Sequence, residues 1–296
     1  MSIESVELEP LFTLNSPFEK ARYFYRLVFR EMDLCTSFLT AEEGTKLASY
    51  YGNLPNKSEV LRNYFNHRHA QRVQHLIRVA SNGARVLDAG CGFGSESILC
   101  GILGARVLGV DLIEPWLNTA KKRLKFYEKV LSKSISTEFS AQSVFDVQDY
   151  FDVIWSLESI SHIDPAEKFI SFAHDHLNEG GRLIISDPNR LNPLIYWNAR
   201  RDARRAGGLH SQMKNPQTGK DVPFAYERIF SVFTIKKLLS ENGFAIESLH
   251  HSALLPYLPF FNIGHRNLGI HFEKPLHAIL PLRWLSGIYT IVGRKV

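Results

Sequence analysis

The chain has 296 residues, 45% of them hydrophobic and 22% charged, which falls in the ordinary globular range and is enough for one large α/β domain with a cap. Its 35 Lys and Arg against 30 Asp and Glu leave a formal charge of +5, a modest excess that suits an anionic substrate or a membrane surface without singling out nucleic acid. Cys35, Cys91 and Cys100 have neither metal-ligand spacing nor the even count of a disulfide framework, and read as reduced thiols.

Met1 to Pro10 carries Glu4, Glu7 and Glu9 and lacks the basic and apolar regions of a secretory signal, so a cytoplasmic protein is expected. Residues 1–80 are expected to form an N-terminal helical cap: aromatic and aliphatic residues are spaced among charges from Phe18 to Ala80, with a break at Gly52, Asn53 and Pro55. Within it, Tyr50 and Tyr51 are candidates either for closing over a cationic ligand or for ordinary packing. Asn66-His67-Arg68-His69 has no partner at metal-ligand spacing, and no metal is expected.

From residue 81 onward strands and helices alternate. Arg85 to Cys91 is a short β-branched and apolar run ending in a glycine cluster, followed by a helical stretch from Ser95 to Leu103. A second strand, Arg106 to Leu112, precedes a helix from Pro115 to Leu131. A weak strand at Thr137 to Ala141, a strong one at Phe151 to Leu157, a helix at Pro165 to Leu177 and a strand at Gly181 to Asp187 continue the rhythm. Such alternation predicts a mostly parallel sheet covered on both faces. Past Asp187 the rhythm stops for some forty residues, about 188–230, which are expected to form a substrate cap before a helix at Ser231 to Asn242 and strands at Ala245 to His250 and Ile288 to Val292.

The segment Asp88-Ala-Gly90-Cys-Gly92-Phe-Gly94, set between a strand and a helix, lets backbone approach a ligand at the carboxyl edge of the sheet. Asp111 closes the second strand, where a carboxylate accepts from both ribose hydroxyls of a nucleoside. A dinucleotide fold wants G-x-G-x-x-G cradling a pyrophosphate, whereas this loop reads G-x-G-x-G behind an acid, which disfavours a phosphate.

Val86-Leu-Asp-Ala-Gly-Cys-Gly-Phe-Gly94 resembles the first motif of class I S-adenosylmethionine (SAM)-dependent methyltransferases, and Asp111 falls at their ribose-binding acid. Phe151-Asp-Val-Ile-Trp155 resembles their fourth strand, and Leu177-Asn-Glu-Gly-Gly-Arg-Leu183 their turn into the fifth. The resemblance covers roughly residues 80–190 and 230–296. It implies a Rossmann-like α/β fold with a seven-stranded sheet, mostly parallel with an antiparallel last strand. It also implies SAM as cofactor and S-adenosylhomocysteine as product. Gly90, Gly92 and Gly94 would then pack against the methionine moiety together with Cys91, Asp88 would suit the cationic end, and Asp111 and Leu112 would meet the ribose. Ser143 and Val144 fall where relatives contact adenine, in a place where an acid is common and a serine stands here, and Leu157 closes that set.

Trp155-Ser-Leu-Glu158-Ser-Ile-Ser-His162-Ile-Asp164 resembles the "E-x-x-x-H" segment of sterol, tocopherol and other terpenoid methyltransferases. If the chain turns helical after Leu157, Glu158 and His162 share a face. By that resemblance the carboxylate stabilises a carbocation or takes up a proton and the imidazole acts as base; the alternative is that both only shape the pocket. Arg200 with Arg204, and Arg201 with Arg205, make a cationic helix face that either is solvated or holds a phosphate, a sugar acid or anionic lipid. Tyr257, Phe260, Phe261 and Trp284 are candidates for an apolar acceptor pocket, a membrane interface or core.

The expected function is methylation of a small molecule, apolar or glycosylated, with no nucleic-acid partner and with peripheral membrane contact left open. Protein or RNA methylation and a non-catalytic SAM-binding regulator are the alternatives, and a nicotinamide-dependent oxidoreductase fails on the glycine spacing. Oligomeric state is not legible.

Overall fold

The computed structural model describes residues 7–34, 37–53, 56–80, 83–253 and 283–296. The amino-terminal region forms α1 (Glu9–Thr13), α2 (Pro17–Leu34), α3 (Ala41–Tyr50) and α4 (Glu59–Val79), with the expected break falling between α3 and α4. The start of α3 is a capping box: the Glu43 amide donates to the Thr40 hydroxyl and the Thr40 amide to the Glu43 carboxylate, so each satisfies an orphan donor.

The alternating part follows in chain order as β1 (Arg85–Ala89), α5 (Ser95–Ile102), β2 (Arg106–Asp111), α6 (Glu114–Leu131), β3 (Thr137–Ala141), β4 (Phe151–Leu157), α7 (Ala166–His176) and β5 (Leu177–Pro188). Next come α8 (Pro193–Arg205), β6 (His210–Lys214), β7 (Asp221–Ala225), α9 (Val232–Glu241), β8 (Phe244–Ser252) and β9 (Ile288–Lys295). Seven strands form one sheet in the order β3-β2-β1-β4-β5-β9-β8; β1 to β5 are parallel and β9 runs antiparallel between β5 and β8. This is the expected Rossmann-like sheet. The region after the fifth strand adds α8 and a separate antiparallel hairpin, β6 with β7.

Side chains on the central strands alternate between two cores, as the pleat requires. Val86, Val153, Trp155, Ile184 and Val292 join one cluster with α2, α4, α5 and α6. Leu87, Ile154, Leu183, Ile185 and Ile291 join the other with α7 and α9. The amino-terminal helices thus share a continuous core with one face of the sheet, Phe24, Leu27 and Val28 of α2 being in the same cluster as Val86 and Trp155.

One sequence expectation is changed. No helix follows Leu157: residues 158–164 are irregular, with turns at 160–162 and an isolated bridge from Ile163 to Phe224, and Glu158 takes a left-handed φ of 52°. Tyr257, Phe260 and Phe261 lie outside the described residues, as does Cys35, while Trp284 packs against Phe233 and His251. Among the described residues, no helix is long and apolar enough to cross a membrane.

Candidate active site at the carboxyl ends of the strands

The chain leaves β1 in one direction along the sheet and returns to β4 on its other side, so the carboxyl ends of these neighbours open a crevice. A cavity of about 540 Å3 occupies it. The glycine loop forms one wall. Gly90 and Gly94 have φ of 76° and 73°, and a Cβ would meet Ser159 Cβ at 2.5 Å at the first and the Phe139 ring at 2.4 Å at the second, so no other residue fits either place. The amides of Gly90 and Cys91 both donate to the Val110 carbonyl, at 2.9 and 3.0 Å, folding the loop back over β2.

Asp111, at the end of β2, accepts from the Gly92 amide at 2.9 Å and from the Ile113 amide at 2.8 Å, one on each oxygen. Burial raises its carboxyl above the usual range, and the amides of Ile113 and Gly92 oppose that rise. Each oxygen keeps a further acceptor site, and the carboxylate lines the cavity. Leu112, Ser143, Val144 and Leu157 line it too. The Ser143 hydroxyl accepts from the Phe145 amide at 3.3 Å and caps a single 3₁₀ turn, Val144–Asp146.

Three residues expected at the cofactor, Asp88, Cys91 and Gly94, do not line the cavity. Asp88 is 3% exposed, does not line the cavity and accepts from the Ser97 hydroxyl at 2.6 Å. The reason is the period of a strand: Val86 faces the core that α5 covers, so Asp88, two residues on, faces α5 as well. Burial, and then the charge of Glu96, pushes its carboxyl up to about 8, so it holds its proton at neutral pH instead of offering a negative charge. Cys91 is buried against Gly109 of β2, and Gly94 against Phe139.

Opposite the loop, the turn after β4 brings Glu158 and His162 to the cavity by bends in place of the expected helix face. Arg72 of α4, whose side chain is wholly buried, donates to Glu158 and also, through Nε at 2.8 Å, to the Ser186 hydroxyl. Burial would raise Glu158, but the positive charge of Arg72, with that of Arg68 added, outweighs it and holds the carboxyl at about 2. Glu158 is therefore a fixed anion at neutral pH. His162 Nδ1 lies 2.9 Å from the Ala225 carbonyl, an atom that only accepts, so Nδ1 carries the hydrogen and the neutral ring keeps its lone pair on Nε2. The ring stacks on Phe224 with an interplanar angle of 4°, and Nε2 is 3.9 Å from the Glu227 carboxylate.

The hairpin after the fifth strand is fastened to this turn. The Ala225 amide donates to the His162 carbonyl at 3.0 Å and the Arg228 amide to the Ser161 carbonyl at 3.1 Å. The Arg228 guanidinium donates to Asp164 at 2.5 Å and to the Ile163 carbonyl at 2.9 Å, and His210 stands 3.0 Å from the other Asp164 oxygen. Met213, Val222, Pro223 and Phe224 thereby form an apolar wall of the cavity. Tyr50 and Tyr51 line it from α3, the Tyr50 ring edge-on to Phe93 and Trp116. Arg200 and Arg204 do not line it: they face two separate hollows beside α8 with Tyr196, because α8 turns that face outward from the sheet.

Sequence reasoning missed Arg72, Glu96, Ser159 and Glu227. For Arg72 and Glu227 no local signal exists, since each reaches the site by tertiary packing. Glu96 did carry one, as the single charged residue of a short helix whose other residues are serines, glycine and apolar side chains and in which all eight residues prove buried.

A family model described as a methyltransferase domain matches residues 61–249. The chain is similar to the mitochondrial ubiquinone biosynthesis O-methyltransferase of Mus musculus, 27% identical over 200 residues, 67% of this chain and 50% of that protein. It is similar as well to the ubiquinone biosynthesis O-methyltransferase of Dechloromonas aromatica, 36% identical over 115 residues, 38% of this chain and 48% of that one. The chain spans about half the length of the curated relatives it matches. Among solved structures, geranyl diphosphate C-methyltransferase from Streptomyces coelicolor shares the fold with a TM-score of 0.54 at 18% identity, covering 82% of each chain. Magnesium protoporphyrin IX methyltransferase from Synechocystis does so with 0.52 at 17% identity, covering 90% of this chain and 97% of the other.

Proposed function

Because the chain belongs to the methyltransferase-domain family, we propose that it is a SAM-dependent methyltransferase acting on a hydroxyl of a small, largely apolar acceptor. The observation that carries this reading is that Asp111 and the glycine loop face, across one cavity, a histidine whose Nε2 lone pair is held free by the Ala225 carbonyl. The residues fit the cofactor. Asp111 would accept from its ribose hydroxyls, the backbone at Gly90 and Gly92 would pass its methionine arm, and Leu112, Ser143, Val144 and Leu157 would enclose the base. Tyr50 rests directly on the loop at Gly92, where a Cβ would be 3.1 Å from its hydroxyl, so a ligand passes beside that ring and not between it and Gly92.

When bound, SAM supplies a methyl group already activated on a sulfonium, so the protein has to align the acceptor and remove a proton. His162 Nε2 takes that proton. The Ala225 carbonyl keeps the ring in the required tautomer, and the Glu227 carboxylate nearby favours the charged ring once it forms. Glu158, held ionised by Arg72, does not take up a proton at neutral pH; it supplies a fixed negative charge and anchors α4 to the turn. Residues 1–80 and the insertion 188–230 cover the site from its two sides in this reading. The curated relatives are named O-methyltransferases, which supports oxygen as the acceptor atom.

The arginine face of α8, beside Trp197 at 63% exposure and Leu194 at 38%, is read as a surface for anionic lipid bordering the site. The cytoplasm is taken as the compartment, the thiols of Cys91 and Cys100 being free and buried.

The test is calorimetric titration with SAM, S-adenosylhomocysteine and NAD, followed by transfer of labelled methyl from SAM to phenolic and isoprenoid alcohols. Binding of the two sulfur nucleosides with transfer to an acceptor oxygen supports the reading. Binding without transfer to any acceptor points to a regulator, and binding of NAD in place of SAM rejects the cofactor.

A further inference from the structure

The methionine arm of SAM ends in an ammonium group, and a cation in a largely closed site requires an anion or several acceptors beside it. Asp88 does not provide one, being turned to Ser97 behind the loop. Glu96 does line the cavity, together with Gly90, Gly92, Tyr50 and Tyr51. It stands in the first turn of α5, 9% exposed, and accepts a hydrogen bond from the phenol of Tyr25, which is itself buried in α2.

The cations nearest to it direct their donors elsewhere. Arg123 donates to Glu31, to the Phe93 carbonyl and to Ser95, and Arg72 to Glu158 and Ser186. Among the described residues no lysine or arginine closes an ion pair with Glu96, whose carboxyl is raised mainly by burial. An acid set at the edge of a ligand cavity, held by neutral donors, the Tyr25 phenol and its own amide, with no arginine or lysine in direct contact, is matched to a cation that arrives with the ligand.

On the reading of the cavity as a SAM site, we infer that Glu96 is the acid that receives the ammonium of the methionine arm, and that Tyr25 of α2 aims it. The amino-terminal helices then do more than cover the acceptor: they set one of the cofactor's charge contacts. Binding the arm and binding the nucleoside rest on different residues, Glu96 for the first and Asp111 for the second.

The experiment titrates the wild-type protein, Glu96→Gln and Tyr25→Phe with SAM, S-adenosylhomocysteine and 5′-methylthioadenosine, which lacks the amino-acid arm. Glu96→Gln keeps the shape and an acceptor for Tyr25 while removing the charge. It is expected to lose about tenfold or more in affinity for SAM and S-adenosylhomocysteine and to bind 5′-methylthioadenosine within about twofold of wild type, the pattern of a lost charge-assisted contact. Tyr25→Phe is expected to show the same selectivity at about threefold. Equal losses for all three ligands assign Glu96 to folding of the loop and overturn the inference, as does no loss for any. If the wild-type protein binds none of the three, the cofactor reading itself fails, an outcome distinct from both.

Discussion

Arg72 and Glu158 form an ion pair across 86 positions of chain, joining the middle of α4 to the turn that leaves β4. The Arg72 side chain is wholly buried whereas that of Glu158 is 47% exposed, so the pair is a plug whose inner half is dry and whose outer half faces the cavity. Removing the outer partner strands a buried guanidinium.

Glu158→Gln is therefore expected to destabilise the protein by about 2 kcal/mol at pH 7, less than a fully buried pair would lose because the Glu158 end is open to solvent. The sign of the pH dependence follows from the folded carboxyl lying near 2, below its unfolded value. Its contribution is fully present above the unfolded pKa and is lost as pH falls towards 2, so the gap between variant and parent in urea unfolding should narrow on going from pH 7 to pH 3. A gap that stays constant over that range rejects the ion pair as its source.

His162→Ala is expected to lower methyl transfer by about 100-fold or more while leaving SAM affinity within about twofold, the profile of a lost general base. A variant in which transfer survives at more than a third of the parental rate leaves His162 only a shaping role.

Asp111→Ala removes the acceptor for the Gly92 and Ile113 amides as well as the proposed ribose contact. Affinity for SAM, S-adenosylhomocysteine and 5′-methylthioadenosine alike should fall by about tenfold or more in calorimetry. Unchanged affinity for all three places the nucleoside elsewhere.

Asp88→Asn keeps an oxygen for Ser97 but removes an acid that the fold holds protonated, its carboxyl lying at about 8. A buried acid whose folded pKa is raised makes folding progressively less favourable as pH climbs from its unfolded pKa to the folded one. The variant lacks that loss. Its melting temperature should exceed the parent's by more at pH 8 than at pH 5, with SAM affinity little changed; a difference that shrinks towards pH 8 contradicts the assignment.

Arg200→Glu combined with Arg204→Glu should reduce co-sedimentation with vesicles containing phosphatidylglycerol and leave binding to phosphatidylcholine vesicles as low as before, since each surface arginine is worth about 1 kcal/mol at an anionic bilayer. Both positions lie outside the main cavity, so SAM affinity is the internal control. Equal sedimentation of parent and variant with the anionic vesicles removes α8 from membrane contact.

The seven-stranded sheet, the glycine loop and Asp111 were legible in the sequence because each rests on a local rule. Alternating apolar runs and helices determine a parallel sheet, and three glycines after a strand determine a loop that backbone and ligand share. Period-two alternation puts Asp88 on the same face of β1 as Val86, but only the tertiary structure shows that α5 covers that face, and the motif alone suggested the cavity. Position along the chain likewise marked Glu158 and His162 as cavity residues, but not the bends that bring them there.

What the tertiary structure alone decided is who meets whom across long separations. Arg72 pairing with Glu158, Tyr25 with Glu96 and His162 with the Ala225 carbonyl are contacts between residues 63 to 86 positions apart, and no periodicity encodes them. The sequence by itself determined where backbone can turn, which faces are apolar and therefore where a crevice opens. Protonation state and tautomer were decided only once burial and neighbouring charges were fixed, because a carboxyl or an imidazole takes its chemistry from the dielectric and the dipoles around it rather than from its place in the chain.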